Sequence, residues 1–112
     1  MNILLFNPPS PDGAKMNREG RCTQKASIWG TQWPPLTLAT AAALLERDNH
    51  RVIVRDFPAN RGTTADLVEL TRREQPDFAF WATGTPSLEA DLSRAAAIKE
   101  VSPQTRTGVF GT

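Results

Sequence analysis

The sequence has a single cysteine, Cys22, and a single histidine, His50. One cysteine excludes an internal disulfide and a cysteine-based metal cage within the chain, and one histidine excludes a multi-histidine metal site. No apolar run approaches the roughly 18 residues of a membrane-spanning helix. The formal net charge is only +1, which would draw in neither nucleic acid nor an acidic membrane. We expect a cytoplasmic protein with no nucleic-acid partner and no membrane partner.

The chain is 112 residues long, which is enough for one domain with one hydrophobic core. Its composition, 39% hydrophobic and 22% charged, is typical of a globular protein. Short continuous apolar runs between turn-forming residues predict strands that are buried on both faces of a sheet. The four strands are expected at residues 3–6, 52–56, 78–82 and 107–110.

Helical segments separate these strands. The first is expected over 36–45, where Pro34 and Pro35 suit the first turn and the alanines and leucines favour a helix. It is apolar nearly all round, so we expect it to pack deeply against the sheet. The second is expected to open at a capping box formed by Thr63 and Asp66.

The third helix is expected to begin with Thr85 as its N-cap and Pro86 at its first helical position. Leu88, Leu92 and Ala95 should line its inner face. Buried strands that alternate with helices in this way predict an α/β fold with a parallel sheet and right-handed crossovers.

No helix follows the fourth strand, although a parallel strand needs cover on both faces. We therefore expect residues 1–112 to form a single domain, a fragment of a longer enzyme that is truncated after the fourth strand. The isolated chain should self-associate, or exchange its last strand, to cover that surface. A longer chain that adds a helix and a strand should be monomeric at this interface.

Residues 8–33 carry little periodicity and are interpreted as a long functional or mobile loop. Its basic residues could grip phosphate or a propionamide-rich ligand, although a solvated loop is the simpler interpretation. Trp29 and Trp33 could stack on a planar cofactor, or they could anchor the loop to the domain. Both interpretations of the two tryptophans stay open.

The ligand crevice of an open parallel sheet lies beyond the carboxyl ends of its strands. Here these ends are mostly small or turn-forming residues, which would let a flat, bulky ligand lie across the edge. Turns between strands and helices are rich in such residues in any case, so this observation alone does not decide the function. The four ends are residues 7–9, 56–57, 83–86 and 110–112.

Several common motifs are missing. The first strand is not followed by G-x-G-x-x-G, and the chain has neither a P-loop nor a G-x-S-x-G serine elbow. Asn7 and Thr83 stand where a phosphoacceptor receiver domain would carry acidic residues. Asp56 ends the second strand, where a ribose-binding acid would lie, but without the glycines we interpret it as a structural cap.

The order and spacing of several short motifs resemble the amino-terminal cobalamin-binding domain of cobalamin-dependent radical S-adenosylmethionine enzymes. The resemblance covers almost the whole chain, and no single motif carries it alone. The motifs are ILLFNPP at 3–9, WPPLTLA at 33–39, ALLE at 43–46, HRV at 50–52, Pro76-Asp77, Thr85-Pro86, Ile98-Lys99 and VFGT at 109–112.

This resemblance implies a flavodoxin-like (Rossmann-like) three-layer sandwich with the corrinoid on the carboxyl edge of the sheet and its nucleotide tail beside the third and fourth strands. Members of this branch lack the Asp-x-His-x-x-Gly motif, as does this sequence, so the cobalt would be held without a histidine ligand. The family carries its Cys-x-x-x-Cys-x-x-Cys iron-sulfur site and S-adenosylmethionine in a downstream domain. That motif is absent here, so this chain alone cannot perform the radical step of a methyltransferase or cyclase-type enzyme.

We expect small residues to leave room for the tail, and the amides and hydroxyls at the start of the third helix to meet its phosphate. Phe110 stands where the family usually has a glycine and would narrow the slot. No catalytic and no metal-ligating residue is expected. The expected cofactor-binding residues are Asn7, Pro8, Pro9, Trp33, Thr83, Gly84, Thr85, Pro86, Ser87, Gly111 and Thr112.

Two other interpretations stay open. The chain could be a degenerate cobalamin-type domain that serves as an interaction or substrate-gating module. It could also be a nucleotide-binding Rossmann-like domain. A visible absorption spectrum separates these, because a corrinoid absorbs in the visible range and a nucleotide only in the ultraviolet.

Overall fold

The computed structural model describes residues 1–10, 16–17, 24–25 and 34–111. Four parallel strands form its main sheet, in the order β4-β1-β5-β6. A short antiparallel pair of strands forms a second sheet. The strands are β1 (Asn2–Asn7), β2 (Met16–Asn17), β3 (Gln24–Lys25), β4 (Arg51–Asp56), β5 (Phe78–Thr83) and β6 (Arg106–Gly111).

Three α-helices connect the strands of the main sheet: α1 (Leu36–Arg47), α2 (Thr64–Glu74) and α3 (Leu88–Val101). A short 3₁₀ turn at Thr85–Ser87 precedes α3. The predicted α/β fold with a parallel sheet is therefore confirmed, and its strand order is that of a flavodoxin-like fold. No helix in the described part of the chain has the length and apolar content that a bilayer span requires.

The alternation of side chains along β1 separates the core into two layers. Leu4 and Phe6 pack with residues of α2 and α3 on one face of the sheet. Ile3 and Leu5 pack with residues of α1 on the other face. The four consecutive apolar residues of β1, at positions 3–6, suit this three-layer arrangement, because both faces of the strand are covered.

The prediction that α1 packs deeply is wrong. Only Leu38 and Ala42 are buried in this helix, whereas Leu36 and Leu44 are exposed. The described structure packs one side of α1, against β4 and β1, so its apolar residues on the other side stay at the surface. Pro35 is the N-cap, so the two prolines precede the first turn and do not lie within it.

The amino end of α2 is formed as predicted. Thr63 Oγ1 accepts a hydrogen bond from the Asp66 amide at 3.3 Å, and Asp66 Oδ2 accepts one from the Thr63 amide at 2.7 Å. This is the reciprocal capping box that the sequence indicated. The helix ends at Glu74, and its C-cap residue, Gln75, adopts the left-handed conformation.

The inner face of α3 differs from the prediction. Leu88 and Leu92 are exposed, whereas Asp91 and Ile98 are the buried residues of this helix. Ala95 does pack against the core, as expected. The helix is rotated in this way because the buried carboxylate and carbonyl of its fourth residue bind polar groups of β5.

The predicted N-cap of the third helix is also wrong. Thr85 lies inside the 3₁₀ turn. The residue that precedes this turn is Gly84, so no side chain caps it. The α-helix proper begins only at Leu88. The hydroxyl of Ser87 is directed to Asp91, four residues along, and this contact takes the place of a cap.

The amino edge of the sheet is closed by polar contacts. The Arg51 guanidinium donates to Glu74 at 3.0 Å and lowers the pKa of that half-buried carboxyl. The amide of Asn2 donates to Asp77 Oδ2 at 2.8 Å. His50 lies at this edge, with its Nδ1 3.3 Å from the amino terminus, so the only histidine is at the end of the sheet opposite the expected crevice.

Candidate functional site

The carboxyl edge of the sheet carries Asp56, Asn7, Thr83 and Gly111, in the spatial order of the strands. The helix that follows β1 in the sequence, α1, packs on one face of the sheet, and α3, which follows β5, packs on the other. Adjacent strands whose connections diverge in this way open a crevice, and ligands of doubly wound sheets bind at that point. The candidate site therefore lies between the ends of β1 and β5.

Asn7 contributes a buried polar group to this edge. Its side chain is 2% exposed, and its Nδ2 donates to Asp56 Oδ1 at 3.4 Å. Its Oδ1 is buried and has no hydrogen-bond partner, and the same is true of Ser10 Oγ. A buried acceptor without a donor costs about 1–3 kcal/mol, so Asn7 Oδ1 is a candidate for a bond to a bound molecule.

Pro8 and Pro9 are fully buried. The carbonyl of Pro9 accepts a hydrogen bond from Arg94 Nη2 at 3.0 Å, and Arg94 Nη1 donates to Thr64 Oγ1 at 2.9 Å. This arginine of α3 thus ties the segment after β1 to the start of α2. The two prolines therefore lie buried at the carboxyl edge of the sheet, directly after Asn7.

The end of β5 is organised by Asp91, which sequence reasoning missed. Its side chain is 1% exposed, and its Oδ2 accepts from Thr83 Oγ1 at 2.9 Å and from Ser87 Oγ at 2.7 Å. Its carbonyl accepts from Trp81 Nε1 at 2.9 Å. One signal was present in the sequence: Asp91 lies seven residues before Ile98, on the same face of the helix, where a lone carboxylate needs nearby donors.

One of the backbone donors expected in the turn after β5 is already used. Gly84 is extended, with φ −146° and ψ 162°, a conformation open to any residue. The Ser87 amide donates to the Gly84 carbonyl at 3.0 Å, and proline at position 86 has no N–H. The Ser87 amide, which was expected to meet a phosphate, is therefore already bonded within the turn.

The glycines of β6 are explained by contacts within the protein. Gly111 has φ +136°, and a Cβ there would overlap the carbonyl oxygen of Thr83. A Cβ at Gly108 would lie 2.7 Å from the ring of Phe80, so that ring covers the glycine. Phe110 packs on the same face as Phe80. The space that these glycines leave is thus partly filled by neighbouring groups of the chain.

A cleft of about 210 Å³ borders the carboxyl end of β4. This volume is below the roughly 300–1,000 Å³ of a typical ligand pocket, so it would hold only part of a ligand. Two carboxylates border it, one of which is the acid that ends the second strand of the main sheet. Its lining residues are Arg55, Asp56, Phe57, Asn60, Gly62 and Asp66.

The structure brings Asn7, Pro8 and Pro9 together with the segment 83–87 and Gly111 at one edge. Trp33 and Thr112 lie outside the described residues, as do Cys22, Trp29 and most of the loop 8–33. Among the described residues, no three His, Cys, Asp or Glu side chains are grouped so that they could hold a metal ion.

No protein-family model, no curated protein and no solved structure matches this chain.

Proposed function

We propose that this chain is the cobalamin-binding module of a radical S-adenosylmethionine methyltransferase or cyclase-type enzyme, and that it holds the corrinoid without a histidine ligand. The observation that carries the proposal is Asn7 Oδ1, a buried acceptor without a partner at the switch point of a flavodoxin-like sheet. Such an atom is satisfied when a ligand lies across this edge.

The residues of the edge fit a large, flat ligand. Thr83, Gly84 and Ser87 are partly exposed, and Gly111 is exposed, so the ends of β5 and β6 can be reached. Buried prolines and the Arg94 contacts hold the end of β1 in place. A rigid edge of this kind would bind with little loss of conformational entropy.

The absence of a histidine ligand is supported by the position of His50. It lies at the amino edge, beside the amino terminus, whereas the candidate site is at the carboxyl edge. When bound, the corrinoid would supply methyl-relay or radical chemistry together with the downstream domain. The residues described here would bind and orient it.

Titration with hydroxocobalamin tests the proposal. We expect a visible-spectrum change that indicates release of the tail base from cobalt with no histidine in its place, because the single histidine of this chain lies at the opposite edge of the sheet. Unfolded chain serves as the control for nonspecific binding. The proposal is wrong if the spectrum stays unchanged at about 1 mM cofactor, where even a binding free energy of about −4 kcal/mol would be detected.

Gly84→Leu is expected to weaken cobalamin binding by more than about tenfold, or about 1.4 kcal/mol. The leucine side chain would occupy the crevice beside β5, while the extended backbone of Gly84 accepts it without strain. The measurement is the dissociation constant from the same titration, together with the unfolding midpoint.

Glu100→Leu is a matched control, because it adds an exposed leucine near the carboxyl end of α3, away from the crevice. It should leave the dissociation constant unchanged. Parental affinity in Gly84→Leu would place the ligand elsewhere on the molecule.

The cleft beside Asp56 favours one alternative, a nucleotide whose ribose hydroxyls bind this carboxylate. A bound nucleotide would absorb only in the ultraviolet, and Asp56→Asn would abolish its binding. Under the cobalamin proposal, the same variant keeps the visible spectrum of the bound corrinoid.

A further inference from the structure

We infer that the carboxyl edge presents hydrogen-bond acceptors, so that the group it binds there is a donor: a primary carboxamide of the corrinoid periphery rather than the phosphate of its tail. This inference rests on the proposed function for the identity of the ligand. The polarity of the edge follows from the contacts of the described residues alone.

The hydroxyls of Thr83 and Ser87 have no hydrogen left to donate. Each hydroxyl carries one hydrogen, and both oxygens lie within 2.9 Å of Asp91 Oδ2, a carboxylate oxygen that can only accept. Ser87 Oγ also lies 3.4 Å from the Gly84 carbonyl, which is again an acceptor. Both hydroxyls therefore offer only lone pairs to a ligand, and both residues are partly exposed.

Two features of the start of α3 disfavour the binding of an anion. The Ser87 amide is bonded to Gly84, and position 86 has no N–H. The first turn of α3 also carries Glu89 and Asp91, whose carboxylates compete with an anion for the positive end of the helix. A phosphate would lose its hydration here without gaining a bond from the Ser87 amide or from position 86.

Asn7 provides a further hydrogen-bond acceptor, on the other side of the crevice. Its Nδ2 is directed to Asp56, so its buried Oδ1 is the atom that lacks a partner. Asn7 lies on the face of β1 that packs with α1, and Thr83 lies on the face of β5 that packs with α3. The two acceptor groups thus flank the switch point from opposite faces of the sheet.

A primary carboxamide matches this arrangement. It has two N–H donors and no charge, so it can donate to the hydroxyls of Thr83 and Ser87, which share Asp91 Oδ2, without the repulsion that a carboxylate or phosphate would meet. Asn7 Oδ1, on the other face of the sheet, would accept from a second carboxamide of the corrinoid periphery. Asp91 acts as a positioning residue, since it directs the hydroxyl hydrogens away from the ligand.

The test uses nuclear magnetic resonance titration of the full chain with propionamide, propionate and inorganic phosphate as separate probes. Propionamide is expected to shift the signals of Asn7, Thr83 and Ser87, with an apparent affinity at least about tenfold above those of the two anions. The inference is overturned if either anion shifts these signals at lower concentration than propionamide, or if all three probes leave them unchanged.

Asp91→Asn provides a second measurement. The asparagine amide nitrogen, in the place of Asp91 Oδ2, donates to both hydroxyls and frees their hydrogens for the ligand, so the preference for propionamide over phosphate should narrow by about tenfold. A merely structural role for Asp91 would weaken all probes equally and leave the ratio unchanged, which would contradict the inference. Binding of propionamide without binding of hydroxocobalamin would overturn the proposed function and leave the polarity of the edge intact.

Discussion

Replacing Trp81 with alanine is expected to lower the free energy of unfolding by about 3–5 kcal/mol. Trp81 is 1% exposed and lies in the core layer that β5 shares with α2 and α3. Its ring stacks on Phe6, with 5.2 Å between ring centroids, and its Nε1 donates to the Asp91 carbonyl at 2.9 Å. The alanine variant loses the stacking, the buried apolar area and this hydrogen bond together.

Urea unfolding of the parent, Trp81→Ala and Trp81→Phe separates these contributions. The phenylalanine variant keeps an aromatic ring against Phe6 but loses the indole N–H, so it should lose only about 1–3 kcal/mol. Typical domains have a total stability of about 5–15 kcal/mol, so the alanine variant is expected to be largely unfolded near room temperature if the parent lies at the lower end. A loss below about 1 kcal/mol in Trp81→Ala would contradict the packing described for β5.

The isolated chain is expected to self-associate through the side of the sheet that β6 bounds. Leu88 and Leu92 of α3 are 44% and 48% exposed, and Val109 of β6 is 38% exposed. Within the described residues β6 is an outer strand, so one row of its backbone groups has no neighbouring strand. Apolar side chains beside an open strand edge favour pairing with another copy.

The contacts of α3 show that its two exposed leucines lie toward β6. Arg94 marks the side of the helix that packs on α2, since it donates to Thr64. Lys99 marks the other side, because its Nζ donates to the carbonyl of Thr105, just before β6. At 100° per residue, Leu88 and Leu92 project on the Lys99 side of α3. The leucines and Val109 therefore belong to one apolar surface.

Light scattering and thermal unfolding measure this association. We expect dimers or larger species for the parent chain, and a monomer for the double variant Leu88→Lys, Leu92→Lys. The matched control, Leu36→Lys with Leu44→Lys, changes two exposed leucines of α1 on the opposite layer and should leave the association unchanged. A parent chain that stays monodisperse and monomeric would show that this surface does not associate.

Local patterns in the sequence were sufficient for the elements themselves. All four strands of the main sheet lie where the sequence predicted them, with no end displaced by more than one residue. The capping box at Thr63 was predicted because its bonds join residues only three apart. A capping box depends on residues close together in the sequence, and a strand that is buried on both faces is recognised by its consecutive apolar residues.

The faces of the helices could not be predicted in the same way. Apolar spacing assigned Leu88 and Leu92 to the interior, but the helix instead buries Asp91. This residue becomes an interior group only because β5 brings two donors, Thr83 and Trp81, within hydrogen-bond distance. The spacing of apolar residues within α3 carries no information about these contacts with β5, because the two elements are separated by the 3₁₀ turn.

By itself the sequence determined a parallel α/β sheet and the residues that its carboxyl edge would carry, because strand direction and crossover handedness follow from the alternation of elements. Only the tertiary structure decided that β1 and β5 are neighbours at a switch point, and that Asn7 Oδ1 is left there without a donor. It also decided that the hydroxyls of Thr83 and Ser87 are turned inward. The physical reason is that hydrogen-bond partners are set by distances between residues far apart in the chain, which depend on how the layers pack.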